Sequence, residues 1–110
     1  MRWPSREEVD AAVRQWAQEA MVNDSTIQAV GYFGSYARGD AGVGSDLDLI
    51  VILQASDRPF HQRSLAWQFS EIPVPVESVV YTQSEWQQMV ANPSRFYQTL
   101  MQEAVWVAER

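Results

Sequence analysis

Hydrophobic positions along the chain recur with two different periods, and the changes of period predict alternating helices and strands. After Ser5, apolar residues spaced by three and four predict a first helix that ends near Met21. Ser5 followed three residues later by Glu8 is the capping-box pattern of a helix start. Short β-prone apolar runs predict strands at residues 27–33, 47–53 and 74–81 and a short last strand at 105–107.

Helices are predicted between and after these strands. They lie at residues 36–38, 59–71, 85–91 and 96–104, with Asp57 and Ser84 as caps of the second and third. The second strand is apolar on both faces after Asp48, which predicts a central, buried position. Pro75 donates no ladder hydrogen bond, so the third strand should begin at a sheet edge or outside the ladder. The alternation predicts an α/β (α+β) fold, a single domain over residues 1–110 with a small mixed sheet covered by helices.

Composition narrows the classes of function. The net charge is -6 and all eight basic residues are Arg, without a basic block, so we expect no general binding to nucleic acid. The acidic balance also disfavours an anionic membrane surface. The chain has no Cys, which excludes disulfides and thiolate metal ligands. No apolar run of about 18 residues and no signal-peptide pattern is present, so we expect a soluble, cytoplasmic protein without membrane contact.

Two aspartates at the start of the second predicted strand are candidates for chemistry. Asp46 and Asp48 are two residues apart, so on a strand they share a face and are separated by about 6.6 Å. Neighbouring carboxylates raise each other's pKa by repulsion, and a divalent cation such as Mg²⁺ relieves that repulsion. Taken alone, this pattern more often marks two exposed aspartates at a strand start than a metal site.

The turn after the first predicted strand is a candidate anion site. Free backbone N–H groups at Gly34 and Ser35 favour an anion, and the Ser35 hydroxyl and Arg38 guanidinium can add donors to a phosphate. All five glycines of the chain lie between residues 31 and 44, so backbone freedom is concentrated where a ligand would approach. The alternative is an ordinary turn with Arg38 in a surface ion pair.

The sequence of the turn and the pair of aspartates together resemble the motifs of a known family. G-S-Y-A-R-G over residues 34–39 and S-D-L-D-L over residues 45–49 closely resemble the minimal nucleotidyltransferases, the small branch of the polymerase-β-like nucleotidyltransferase superfamily. The resemblance implies the polymerase-β-like nucleotidyltransferase fold. It also implies Mg²⁺ as cofactor, a nucleoside triphosphate as ligand, and transfer of AMP from ATP to an acceptor hydroxyl.

The resemblance assigns roles to six residues. Gly34, Ser35 and Arg38 would hold the triphosphate, and Asp46 and Asp48 would bind Mg²⁺. The family takes a third carboxylate, usually Asp, from the third strand, where Glu77 is the candidate both as metal ligand and as base. Because Glu is one methylene longer than Asp, the site is expected to be active, slower, or able to bind nucleotide without catalysis.

The same resemblance implies a protein partner. Minimal nucleotidyltransferases commonly pair with a helical HEPN-domain toxin, act as its antitoxin, and in some pairs adenylylate a tyrosine of the toxin. The chain is therefore interpreted as a protein adenylyltransferase of this kind. The alternative is an antitoxin with a weak or inactive nucleotide site that neutralises its partner by direct binding. A third interpretation is transfer to a small molecule. Both homo- and hetero-oligomers are compatible with the sequence.

Overall fold

The structure is a computed structural model that describes residues 2–110. Its helices are α1 (Arg6–Asn23), α2 (Ser35–Arg38), α3 (Gln83–Ala91) and α4 (Arg95–Glu103), and a 3₁₀ segment spans Phe60–Ala66. Its strands are β1 (Ile27–Phe33), β2 (Leu47–Leu53), β3 (Val76–Thr82) and β4 (Val105–Glu109). In residues 2–110, no helix is both long and apolar enough to cross a lipid bilayer.

The four strands form one mixed sheet in the order β3-β2-β1-β4. β1 is antiparallel to both β2 and β4, whereas β2 and β3 are parallel. The predicted central position of the second strand is confirmed, and so is the placement of Pro75 just before an edge strand. The mixed sheet covered by helices agrees with the fold class predicted from the alternating pattern.

α1 lies against one face of the sheet and builds the core there. Its start is fixed by the predicted capping box, in which the Ser5 hydroxyl accepts from the Glu8 N–H. Its apolar stripe (Val9, Val13 and Trp16) is buried, at roughly 1.5–3 kcal/mol for each aliphatic side chain. Alternate residues of the two central strands join this stripe: Val30, Tyr32, Leu47, Leu49, Val51 and Leu53.

The opposite face of the sheet has an aromatic row at one end and acidic residues at the other. Tyr81, Trp86 and Trp106 pack in series, with ring centroids 6.2 and 5.9 Å apart. Asp48 alternates with the core residues of β2 and therefore belongs to this face, at the opposite end of the strand. α4 adds the fully buried Leu100. The face therefore holds both packed apolar groups and the candidate carboxylates.

The prediction of a helix at 59–71 is wrong. The 3₁₀ segment ends at Ala66, and Trp67 has extended backbone angles, with φ -126° and ψ 160°. This conformation brings the Trp67 ring edge-on against Trp16, with centroids 6.1 Å apart. The burial of two indoles thus outweighs the local helical pattern, which is the usual way in which packing overrides propensity.

Two predicted caps are also wrong. Asp57 caps nothing, because Pro59 precedes the 3₁₀ segment. α3 is capped by Thr82 instead of Ser84, since the Thr82 hydroxyl accepts from the Glu85 N–H at 3.2 Å while the Glu85 carboxylate accepts from the Thr82 N–H at 2.9 Å. This reciprocal pair needs a Ser or Thr three residues before the glutamate, and Thr82 has that spacing.

Candidate active site

The predicted anion-binding turn joins the end of β1 to α2. Gly34 has φ 75° and ψ -151°, angles that are essentially restricted to glycine. The Arg38 N–H donates to the Gly34 carbonyl, and the Gly39 N–H donates to the Ser35 carbonyl, both at 3.0 Å. Gly34, Ser35 and Arg38 therefore lie on one tight turn of backbone at the end of a central strand.

Gly34 lies against the carboxylate of Asp48. The antiparallel register places Phe33 opposite Asp48, so the turn folds back over the start of β2. A Cβ atom at position 34 would come within 2.1 Å of the Asp48 Oδ2 atom. Glycine at this position is therefore needed for two reasons, the positive φ and the contact between backbone and carboxylate.

The candidate carboxylates lie on neighbouring strands. Asp48 is directly opposite Glu77 in the parallel ladder, so both side chains leave the same face of the sheet from strands about 4.8 Å apart. Asp46 is exposed and lies one residue before β2. Partial burial raises the pKa of Asp48 above its usual value, and the nearby charges of Glu77 and Asp46 raise it further.

The donor set fits a hard divalent cation such as Mg²⁺. Such a cation stabilises carboxylates that repel one another, and the charges of Glu77 and Asp46 add to the effect of burial in raising the pKa of Asp48. Within residues 2–110, no three acidic or histidine side chains are close enough together to hold a metal ion by themselves. One or two of these carboxylates with water and substrate phosphates would complete the shell, which is the usual arrangement for Mg²⁺.

Arg38 is engaged by two acidic side chains. Its guanidinium pairs with Asp40 at 3.2 Å and with Glu103, the last residue of α4, at 3.4 Å. The same Glu103 carboxylate accepts the backbone N–H of Gly34 at 3.0 Å. Glu103 was not predicted as a site residue. Its contact with the Gly34 turn, which lies almost seventy residues earlier, has no signal in the local sequence.

Further contacts that were not predicted from the sequence hold the turn and α2 in position. The Arg6 guanidinium donates to the carbonyls of Tyr36 and Ala37, at 2.9 and 3.2 Å. The ring of Tyr36 is buried, and its hydroxyl lies 3.3 Å from the indole nitrogen of Trp3 and 3.5 Å from the carbonyl of Ser45. These contacts hold α2 to the first turn of α1 and to the loop that precedes β2.

Comparison with known proteins identifies the family. The family model of the nucleotidyltransferase domain matches residues 14–107. The chain belongs to the nucleotidyltransferase domain family. This nucleotidyltransferase domain contains the turn, Asp46, Asp48 and Glu77 within the matched residues. The resemblance predicted from residues 34–49 is thereby confirmed at the level of the family.

Solved structures support the same fold. A crystal structure of a protein from Sulfolobus solfataricus, provisionally assigned as a nucleotidyltransferase, superposes with a TM-score of 0.62 at 19% identity, over 99% of this chain and 91% of that chain. A chain from a toxin-antitoxin structure determined with AMP-PNP superposes with a TM-score of 0.51 at 17% identity, over 97% of this chain and 75% of that chain. A search among curated proteins gives no significant match.

Proposed function

We propose that this nucleotidyltransferase domain transfers AMP from ATP to a hydroxyl of a partner protein, and that it acts as the antitoxin of a toxin–antitoxin pair. The observation that carries the proposal is the position of Asp48, which lies against the Gly34 turn on one side and beside Glu77 on the other. A phosphate-binding turn and paired carboxylates are thus in contact, which is the arrangement that a nucleoside triphosphate with a divalent cation requires.

The residues of the site would have separate roles in the proposed nucleotidyl transfer. The backbone N–H groups of Gly34 and Ser35 and the guanidinium of Arg38 would hold the terminal phosphates and the leaving pyrophosphate. One or two of the carboxylates of Asp46, Asp48 and Glu77, together with water and the phosphates, would hold Mg²⁺, which would neutralise triphosphate charge and polarise the α-phosphate.

The transfer step forms one bond and breaks one. The acceptor hydroxyl oxygen bonds to the α-phosphorus, and the bond from that phosphorus to the bridging oxygen of the β-phosphate breaks, so pyrophosphate leaves. Glu77, which is exposed on the edge strand β3, would accept the hydroxyl proton. An exposed base at a sheet edge suits an acceptor presented by a second macromolecule.

The partner is proposed to be a HEPN-domain toxin, with a tyrosine as the acceptor. Two points support a protein partner. The residues of the turn resemble those of minimal nucleotidyltransferases that pair with HEPN proteins, and one structurally similar chain comes from a toxin-antitoxin structure with AMP-PNP bound. A tyrosine hydroxyl is an acceptor that a partner can extend into an open, solvent-facing site.

A second candidate function is an antitoxin that neutralises its partner by binding alone. The observation that favours it is Glu103, which occupies both the Gly34 N–H and Arg38 in the free chain. A site already engaged by its own carboxylate would bind nucleotide weakly. Glu77, where the family usually has Asp, points in the same direction.

An Asp46→Asn, Asp48→Asn double variant separates the two functions. The purified chain, Mg²⁺, a labelled ATP analogue and the partner are combined, and the label on the partner is measured. The wild type should label the partner, whereas the double variant should not, because its site has lost two anionic oxygen donors. Asp57→Asn, an exposed acid outside the site, is the matched control and should label normally.

The outcomes are distinct for each function. Labelling by the folded double variant contradicts the proposed enzyme. Protection of cells against the toxin by the double variant, without labelling, supports neutralisation by binding. Loss of protection in the double variant while the complex still forms contradicts that second function. Circular dichroism of each variant shows whether the fold survives.

A further inference from the structure

The carboxylate of Glu103 is bound where the proposed nucleotide phosphates would go. It accepts the Gly34 N–H at 3.0 Å and lies 3.4 Å from the Arg38 guanidinium. The Glu103 side chain is 16% exposed, whereas that of Arg38 is 48% exposed. A largely buried anion therefore lies between a backbone donor and a cation, which is the environment that a phosphate oxygen would also need.

A purely structural role for this contact is the alternative, in which Glu103 simply orients Arg38. Arg38 has a second carboxylate partner, because Asp40 accepts from its Nε atom at 3.2 Å, so Glu103 is not its sole ion-pair partner. The Gly34 N–H, in contrast, is directed at the carboxylate itself.

We infer that Glu103 is an internal anion that competes with the nucleotide phosphates for the Gly34 N–H and Arg38, and thereby sets the affinity and ligand preference of the site. The inference rests on the proposed function, because it takes the turn as the place of the terminal phosphates. A ligand with phosphates that reach the turn must displace Glu103. A monophosphate, whose single phosphate would lie beside Asp48, does not need to displace it.

The contacts of α4 make such a displacement feasible. Leu100 is fully buried, and Phe96 packs edge-on against Phe33 with centroids 5.7 Å apart, so the helix is anchored one turn and two turns before its end. Glu103 itself is the last helical residue, and the chain continues into the edge strand β4. Rotation of this one side chain can therefore free the turn without moving the helix.

Binding of AMP-PNP and AMP by the full chain tests the inference. Isothermal titration with Mg²⁺ is carried out on the wild type, Glu103→Gln and Glu103→Ala. Because Glu103→Ala removes the competing acceptor and frees both donors for the phosphates, we expect about tenfold tighter binding of AMP-PNP in that variant. Glu103→Gln removes the charge but keeps an amide oxygen that can accept from Gly34, so its gain should be smaller. In both variants the change for AMP should be much smaller than that for AMP-PNP. Glu109→Gln removes one negative charge near the far end of the sheet and should change neither affinity.

A second readout does not depend on the nucleotide. Hydrogen exchange of the Gly34 amide in the free protein should become faster in Glu103→Ala, since its acceptor is lost. Unchanged or weaker AMP-PNP binding in both Glu103 variants overturns the inference, as does an equal gain for AMP and AMP-PNP. Tighter AMP-PNP binding without any AMP transfer leaves the inference standing and overturns the proposed enzyme. Absence of nucleotide binding in all variants overturns both.

Discussion

Replacement of Gly34 by alanine tests the contact on which the candidate site is built. The added Cβ atom would lie 2.1 Å from the Asp48 Oδ2 atom and 3.1 Å from its Cγ atom. The backbone would also have to keep φ 75° and ψ -151° with a side chain present. Both effects act in the same direction, so Gly34→Ala should destabilise the fold and push the carboxylate away from the turn.

The magnitude follows from these two contributions. A non-glycine residue in this backbone region costs on the order of 1–3 kcal/mol, and an overpacked contact costs roughly a further 1–3 kcal/mol. We expect a loss of about 2–6 kcal/mol in the free energy of unfolding. This is a large part of the roughly 5–15 kcal/mol that holds a domain of ordinary stability together.

Gly44→Ala is the matched control. Gly44 also has a positive φ, 88°, but nothing lies within 4 Å of a Cβ atom built there. This variant should therefore lose only about 1–2 kcal/mol, the cost of the backbone conformation alone. Urea unfolding followed by tryptophan fluorescence measures both variants. The difference between them reports the clash with Asp48 together with any difference in backbone cost between positions 34 and 44.

A double-mutant cycle completes the test. In a background of Asp48→Ala the atoms that clash with position 34 are gone, so Gly34→Ala should cost about 1–3 kcal/mol less than in the wild type. Equal costs in the two backgrounds would refute the reasoning, because the turn and the carboxylate would then not be in contact. A cost for Gly34→Ala no larger than that for Gly44→Ala would refute it as well.

Two further predictions concern the supports of the fold. The buried Arg63 guanidinium forms an ion pair with Glu85 at 2.5 Å. Arg63→Met should therefore lower the free energy of unfolding, measured in urea, by about 2–4 kcal/mol. The control Arg95→Met, at an exposed position, should change it by almost nothing. The hydrogen bond from Arg63 holds the pKa of Glu85 below 4.5, so the stability from this pair is present above pH 4.5 and is lost as pH falls through the lowered pKa. This loss should be smaller in Arg63→Met, where the hydrogen bonds with Thr82 still lower the pKa of Glu85. Arg6→Ala removes two donors to carbonyls of α2 and should cost about 1 kcal/mol and speed amide exchange in that helix, whereas Arg2→Ala, in an exposed ion pair, should change neither.

Much of the fold is visible in the sequence because local signals and packing agree there. The apolar run of β2 has no polar residue after Asp48, and a strand of that kind can only be central. Ser5 and Glu8 fix the start of α1 by contacts within a single turn. Where packing opposes the local pattern, the predicted element is wrong. The predicted helix at 59–71 is an example, because the chain is extended at Trp67 and its indole packs against Trp16.

The candidate site was predictable only where its residues are close in sequence. Asp46 and Asp48 are two residues apart at the start of β2, and Gly34 and Ser35 share a turn, so their spacing in the sequence carries the signal. Glu77 reaches Asp48 through the β2–β3 register, which the sequence suggested by resemblance alone. Glu103 reaches the turn through the packing of α4, a property of the assembled fold that has no local signature.

The candidate site carries more negative than positive charge. Asp46, Asp48, Glu77 and Glu103 bring negative charge to one end of the sheet, and the positive charge near them is that of Arg38, which Asp40 already shares. Under the proposed function, a triphosphate alone would add to this repulsion, so we expect it to bind together with a divalent cation that the carboxylates also attract. Nucleotide affinity should therefore collapse when the cation is chelated, and Glu103→Gln should recover part of that loss because it removes one of the repelling charges. Equal binding with and without the cation, measured by the same titration, would show that the carboxylates do not face the nucleotide.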